Sequence, residues 1–112
     1  MFQISDQSLA SYCNALAHKR RARIFRILIT DPASGSSFSK LQDVLGFAPS
    51  SLIHHLREME RCGVILRRAK GTQTEYSLNA RPLGRALKTI IDHCQTQPTP
   101  EIKPLHALGA RV

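Results

Sequence analysis

Ser50, His54, Arg57 and Arg61 recur every three or four residues between Pro49 and Cys62, a spacing that collects them on one side of a helix at 100° per residue. Leu52, Leu56 and Met59 fall on the opposite side. A hydroxyl, an imidazole and two guanidinium groups in a row suit hydrogen bonding to polyanionic surfaces. Arg57 has the planar fork that pairs with guanine O6 and N7, and His54 can donate to or accept from a base edge. Each good bidentate contact of that kind is worth about 1–3 kcal/mol of discrimination. Ser50 and Ser51 follow Pro49 at the start of the same helix, where unpaired backbone N–H groups attract phosphate oxygens. A helix of this composition is about as often a plain solvated one, and His55, bordering the apolar face, is expected to pack.

A second basic group follows directly. Val64 to Ala69 reads as a strand, Lys70-Gly71-Thr72-Gln73 as a turn, and Thr74 to Asn79 as the antiparallel partner. Arg67, Arg68 and Lys70, with Gln73 beside them, could meet phosphates. Two-stranded hairpins also carry cations simply to discourage edge-to-edge pairing. Beside Arg57 and Arg61 these cations are expected to extend one positive stripe, which favours phosphate binding.

Other chemistry is poorly supplied. The histidines, His18, His54, His55, His93 and His106, are scattered, and no Ser/His/Asp or Cys/His set falls on one inferred surface. The rings of His54 and His55 point about 100° apart on a helix, so they do not readily share a metal. Cys13, Cys62 and Cys94 form no C-x-x-C pair and suit reduced thiols better than a disulfide framework. Neither catalysis, a metal nor a cofactor is expected.

Composition agrees. Within 112 residues, 16 Lys and Arg face 8 Asp and Glu, for a net charge of +8 and 42% apolar residues. A chain this long is one small domain without room for a deep enzyme cleft, and its charge surplus points to nucleic acid or an acidic membrane. The apolar stretch from Ile24 to Ile29 is interrupted by Arg26 and is far short of the ~20 residues that span a bilayer. No basic start and apolar run mark a signal peptide. A cytoplasmic protein without a membrane partner is expected.

The elements that must position these residues are mainly helical. Ser5 caps a first helix with Leu9, Tyr12, Cys13 and Leu16 on one face. A second runs from Lys19 with Ile24, Phe25, Ile27 and Leu28 inward, and Asp31-Pro32 ends it. Residues 33–37 are expected to be a loop. Phe38 to Leu45 forms a short helix with Leu41, Val44 and Leu45 inward, stopped by Gly46. Pro49 opens the next helix, which runs to Arg61. After the hairpin, Pro82 opens a last helix with the stripe Leu83, Leu87, Ile90, Ile91 and Cys94. Residues 1–95 are thus expected as one domain and 96–112 as a Pro-rich tail.

A short helix, a glycine turn, a helix with one polar face and then a basic hairpin is the order of a winged helix-turn-helix: mainly α, with a small β-hairpin. From Ala15 to Asn79 the chain resembles the ArsR family of winged-helix repressors. The stretches that carry the resemblance are Ala15-Leu16-Ala17-His18-Lys19-Arg20-Arg21-Ala22-Arg23-Ile24 and Leu45-Gly46-Phe47-Ala48-Pro49-Ser50-Ser51-Leu52-Ile53-His54-His55-Leu56, with Gly63-Val64-Ile65 and Tyr76-Ser77-Leu78. The resemblance implies a homodimer joined through the first and last helices, occluding a promoter operator on double-stranded DNA until an effector releases it.

The chain also departs from that family. Metal-sensing members carry Cys-x-Cys where this chain has Ser37, Phe38 and Ser39, and hydroxyls cannot replace thiolates toward soft metals. A second family site, Asp-x-His with a downstream His, is met only by Asp92, Cys94 and His106. The effector is therefore not identified. Cys13 and Cys94, on the helices that the resemblance assigns to the interface, either pack as small hydrophobes or sense an arsenical or an oxidant, whereas Cys62 is structural. The other alternative is an architectural module whose charges serve only phosphates.

Overall fold

The computed structural model describes residues 4–30 and 35–97. Five helices and three strands follow in the order α1 (Asp6–Leu16), α2 (Lys19–Leu28), β1 (Ser36–Ser37), α3 (Phe38–Leu45), α4 (Pro49–Arg61), β2 (Ile65–Lys70), β3 (Gln73–Leu78) and α5 (Ala80–Thr96). The Ser5 hydroxyl accepts from the Ser8 N–H at 3.1 Å and starts α1. α2 begins on an unusual cap, the His18 ring, whose Nδ1 accepts from the Arg20 N–H at 3.1 Å. It ends at Leu28, before Asp31-Pro32, which lies outside the described residues. Gly46 closes α3 in the left-handed conformation, φ 70°.

The core gathers Ala15 of α1, Ile24 and Leu28 of α2, Leu41 and Leu45 of α3, and Leu52, Leu56 and Met59 of α4 against Val64, Ile65, Tyr76 and Leu78. Several expected stripes are only partly buried: on α1 the buried residue is Ala15, while Tyr12 and Leu16 are half-buried and Cys13 is exposed. Val44 is 54% exposed because it lies on the outer face of α3, whose inner face needs only Leu41 and Leu45. On α5 only Leu83 and Ala86 reach the core, whereas Leu87, Ile91 and Cys94 face outward. The helix also starts at Ala80, so Pro82 stands within its first turn rather than opening it, where a missing N–H costs nothing.

The sheet has three strands rather than two, in the order β1-β3-β2 and antiparallel throughout. Ser36 and Ser37, expected in a loop, pair with Tyr76 and Glu75. Gly35 permits this approach: at φ +75° an added Cβ would stand 2.9 Å from the Tyr76 carbonyl oxygen. The hairpin turn is shorter than expected. Lys70 and Gln73 are a cross-strand pair, which leaves only Gly71 and Thr72 between the strands; Gly71, at φ 63°, takes the positive dihedral that tight hairpin turns require.

Candidate nucleic-acid interface

α4 is held by its inner face and free on its outer one. Leu52, Leu56 and Met59 are fully buried, and Ser50, His54, Arg57 and Arg61 are all exposed. Ala48, the residue before α4, has no side-chain oxygen to cap the helix, so the first-turn N–H groups receive no capping bond. Ser51 is turned away from Ser50. It is half-buried, and its hydroxyl accepts from Arg20 Nη1 of α2 at 3.0 Å. Arg20 also lies over the Phe47 ring, 5.1 Å from its centroid. Neither Arg20 nor Phe47 was distinguishable in the sequence as part of this surface, because only the fold carries α2 to the start of α4.

The expected single stripe of cations is divided. Strand side chains alternate faces, so Arg67 shares the core-facing side of the hairpin with its cross-strand neighbour Tyr76, whereas Arg68, Lys70, Gln73 and Glu75 share the other side. Arg67 reaches α4 and pairs with Glu60 at 3.4 Å. Arg68 and Lys70 both pair with Glu75, at 3.2 and 3.3 Å. The hydrogen bond from Arg68, with help from Lys70, holds the Glu75 carboxyl below its usual range. Gln73 is exposed beside the hairpin tip.

Arg61 is engaged as well. It hydrogen-bonds both carboxylate oxygens of Glu58, and this contact pulls the Glu58 pKa down to about 2. Asn14 of α1 donates to the same carboxylate at 3.1 Å and to Cys62 Sγ at 3.5 Å. Arg21 in turn donates to the carbonyls of Ala15 and Asn14 at the end of α1, where a cation complements the helix dipole. Arg57 has no ion pair among the described residues, so of the two guanidinium groups on the outer face of α4 it alone is uncommitted.

Behind the outer face stands a row of imidazoles. His55 is buried, as expected, with its ring centroid 4.6 Å from that of His18 and 5.5 Å from that of His54. Its Nδ1 is buried without a hydrogen-bond partner. Burial, then the nearby His18, Arg21, His54 and Arg20, lower its pKa from the ordinary 6.5. A lowered folded-state pKa means that the unfolded chain takes up the proton first, so stability is intact above the unfolded value and falls as pH drops below it. Unfolding free energies from urea titrations between pH 7 and 5 should fall by at most about 1.4 kcal/mol per pH unit from this residue. That component should vanish in His55→Gln, and an equal slope in both proteins would assign it elsewhere.

Among the described residues no group of three His, Cys, Asp or Glu side chains could hold a metal ion. Ser37, at the first position of the family's Cys-x-Cys, caps α3 instead and accepts from the Lys40 N–H at 3.1 Å. Asp92 accepts from Lys88 at 2.7 Å, and His106 lies outside the described residues. Cys62 is buried, as its structural reading requires. Cys13 and Cys94 are exposed, so neither packs as a core hydrophobe in the single chain. No described helix is long and apolar enough to cross a membrane.

No family model matches the chain. Solved structures do. HlyU from Vibrio cholerae is similar at 20% identity and TM-score 0.64, covering 85% of this chain and 98% of that one. A homodimeric winged helix-turn-helix DNA-binding domain from Mycobacterium bovis, from a possible ArsR-family transcriptional regulator, is similar at 18% identity and TM-score 0.62 over 92% of this chain and all of that one. The fold is a winged helix-turn-helix. An ArsR-like transcriptional regulator from Rhodococcus sp. RHA1 shares it at 23% identity and TM-score 0.64, over 79% and 78% of the two chains. In winged-helix terms α3 and α4 are the helix-turn-helix, and β2 and β3 are the wing.

Proposed function

We propose that the chain is a dimeric, sequence-specific DNA-binding repressor of the ArsR type, not an enzyme, released from its operator by an effector. The observation that carries this reading is the outer face of α4. Ser50, His54 and Arg57 stand exposed on a helix whose other side is anchored in the core, with the wing beside it. A rigid helix with polar groups turned outward is what major-groove reading needs, and the hairpin supplies phosphate contacts through Arg68, Lys70 and Gln73. α1 and α5 flank a cleft of about 340 Å³ lined by Ser8, Tyr12, Arg85 and Ala86. The outward face of α5 carries Leu87 and Ile91, and it supplies the surface for a second copy. Two copies would present their recognition helices to half-sites about 34–36 Å apart.

Selection of bound duplexes from a random pool tests this directly: an inverted repeat supports dimer and specificity together, and recovery of no preferred sequence overturns both. On the selected site Arg57→Ala should cost about 1–3 kcal/mol and relax the preference at one position. Arg68→Ala should weaken selected and random DNA alike and reduce the salt slope by about one. Equal losses on both DNAs for Arg57→Ala would instead favour the architectural reading.

The exposure of Cys13 and Cys94, on the two helices of the proposed interface, favours a thiol-responsive form of this repressor. Release by arsenite or peroxide that persists in both Cys13→Ser and Cys94→Ser proteins would remove it.

A further inference from the structure

Among the described residues, the wing is not the main reserve of unpaired positive charge. Arg61, Arg67, Arg68 and Lys70 all have carboxylate partners, as does Lys88. Lys19, Arg23 and Arg26 have none among the described residues, and at i, i+4 and i+7 they share one face of α2, a helix without an acidic residue. With Arg20 they line an open groove of about 840 Å³ between α2 and α3, and no carboxylate lines it. Val44 and Phe47 form its apolar wall, which gives the outward-facing Val44 a surface to serve. Through the Arg20 to Ser51 hydrogen bond the groove is continuous with the start of α4.

We propose that this groove is a second DNA-backbone surface, which takes the phosphodiester strand flanking the bases read by α4; the inference rests on the DNA-binding reading above. Three features fit a nucleic-acid strand. From Lys19 to Arg26 the α2 axis advances about 10 Å, so the row is long enough to meet more than one phosphate of the same strand. The apolar wall suits deoxyribose, the backbone's least polar part. The groove also begins where the recognition helix begins, so the backbone that edges the major groove under α4 passes beside it.

The test compares salt dependence for the wild-type protein and an Arg23→Gln, Arg26→Gln double variant. Both positions are exposed and outside the core, and an unchanged melting curve confirms the fold. On the selected duplex with long flanks, the slope of log K against log salt should lessen by close to two, about 0.9 per phosphate contact, with the ranking of sequences unchanged. Trimming the flanks should produce the same loss in the wild-type protein without any substitution, and the double variant should no longer respond to trimming. An unchanged slope with wild-type binding intact overturns this proposal alone and leaves the groove to an acidic protein segment. A wild-type protein that binds no duplex, selected or random, overturns the DNA-binding reading as well.

Discussion

An Ile91→Asp, Leu87→Asp double variant should sediment as a monomer and lose most of its specific DNA binding. Leu87 is 40% and Ile91 52% exposed on α5, one turn apart on one face. Exposure of that kind leaves folding of the single chain intact, while two carboxylates facing two more across a two-fold axis would oppose association. Specific sites are typically bound about 4–10 kcal/mol more tightly than random DNA. A monomer keeps one half-site, so roughly half of that advantage, about 2–5 kcal/mol, should disappear. Analytical ultracentrifugation and titration of the selected inverted repeat check the two parts separately. A variant that stays dimeric places the interface elsewhere, and a monomer that binds with full affinity shows that dimerisation is not needed for recognition.

The second large effect is on stability. Leu56 is fully buried at the centre of α4, with Leu52 and Met59 equally buried on either side. Leu56→Ala removes its packing and leaves a cavity, at an expected cost of about 2–5 kcal/mol. For a domain of this size each kcal/mol lowers Tm by roughly 4–8 °C, so the melting transition should fall by about 8 °C or more. Urea denaturation followed by circular dichroism measures it; a loss below about 1 kcal/mol would mean that the site collapses around the smaller side chain. DNA binding at low temperature should survive in whatever fraction remains folded, because the outer face of α4 is untouched.

Much of the frame was legible in the sequence because its signals are local. Ser5, Gly46 and Pro49 each sit where their backbone preferences place them, at a helix start, a left-handed stop and a first turn. The separation of Leu52, Leu56 and Met59 from Ser50, His54 and Arg57 follows from helical periodicity alone, and burial agrees with it. What the sequence hid depends on distant partners. Two serines carry no strand signal, and β1 exists because Gly35 lets the chain approach Tyr76. Adjacent arginines look like one charge run, yet the strand period sends Arg67 and Arg68 to opposite faces, and Glu60 and Glu75 reach them only in the folded chain. Ser51 looks equivalent to Ser50 until Arg20 claims its hydroxyl. The stripe on α5 is real, but among the described residues nothing covers Leu87 and Ile91.

Asn14 gives these parts a mechanical relation. One amide on α1 grips both the Glu58 carboxylate and the Cys62 sulfur at the far end of α4, while Arg21 clasps the carbonyl of Asn14 itself. The helix that borders the proposed seam is therefore geared to the one proposed to face the duplex. A twist applied at the seam must either turn the reader with it or strip these bonds, and in both cases the pitch between two paired readers changes.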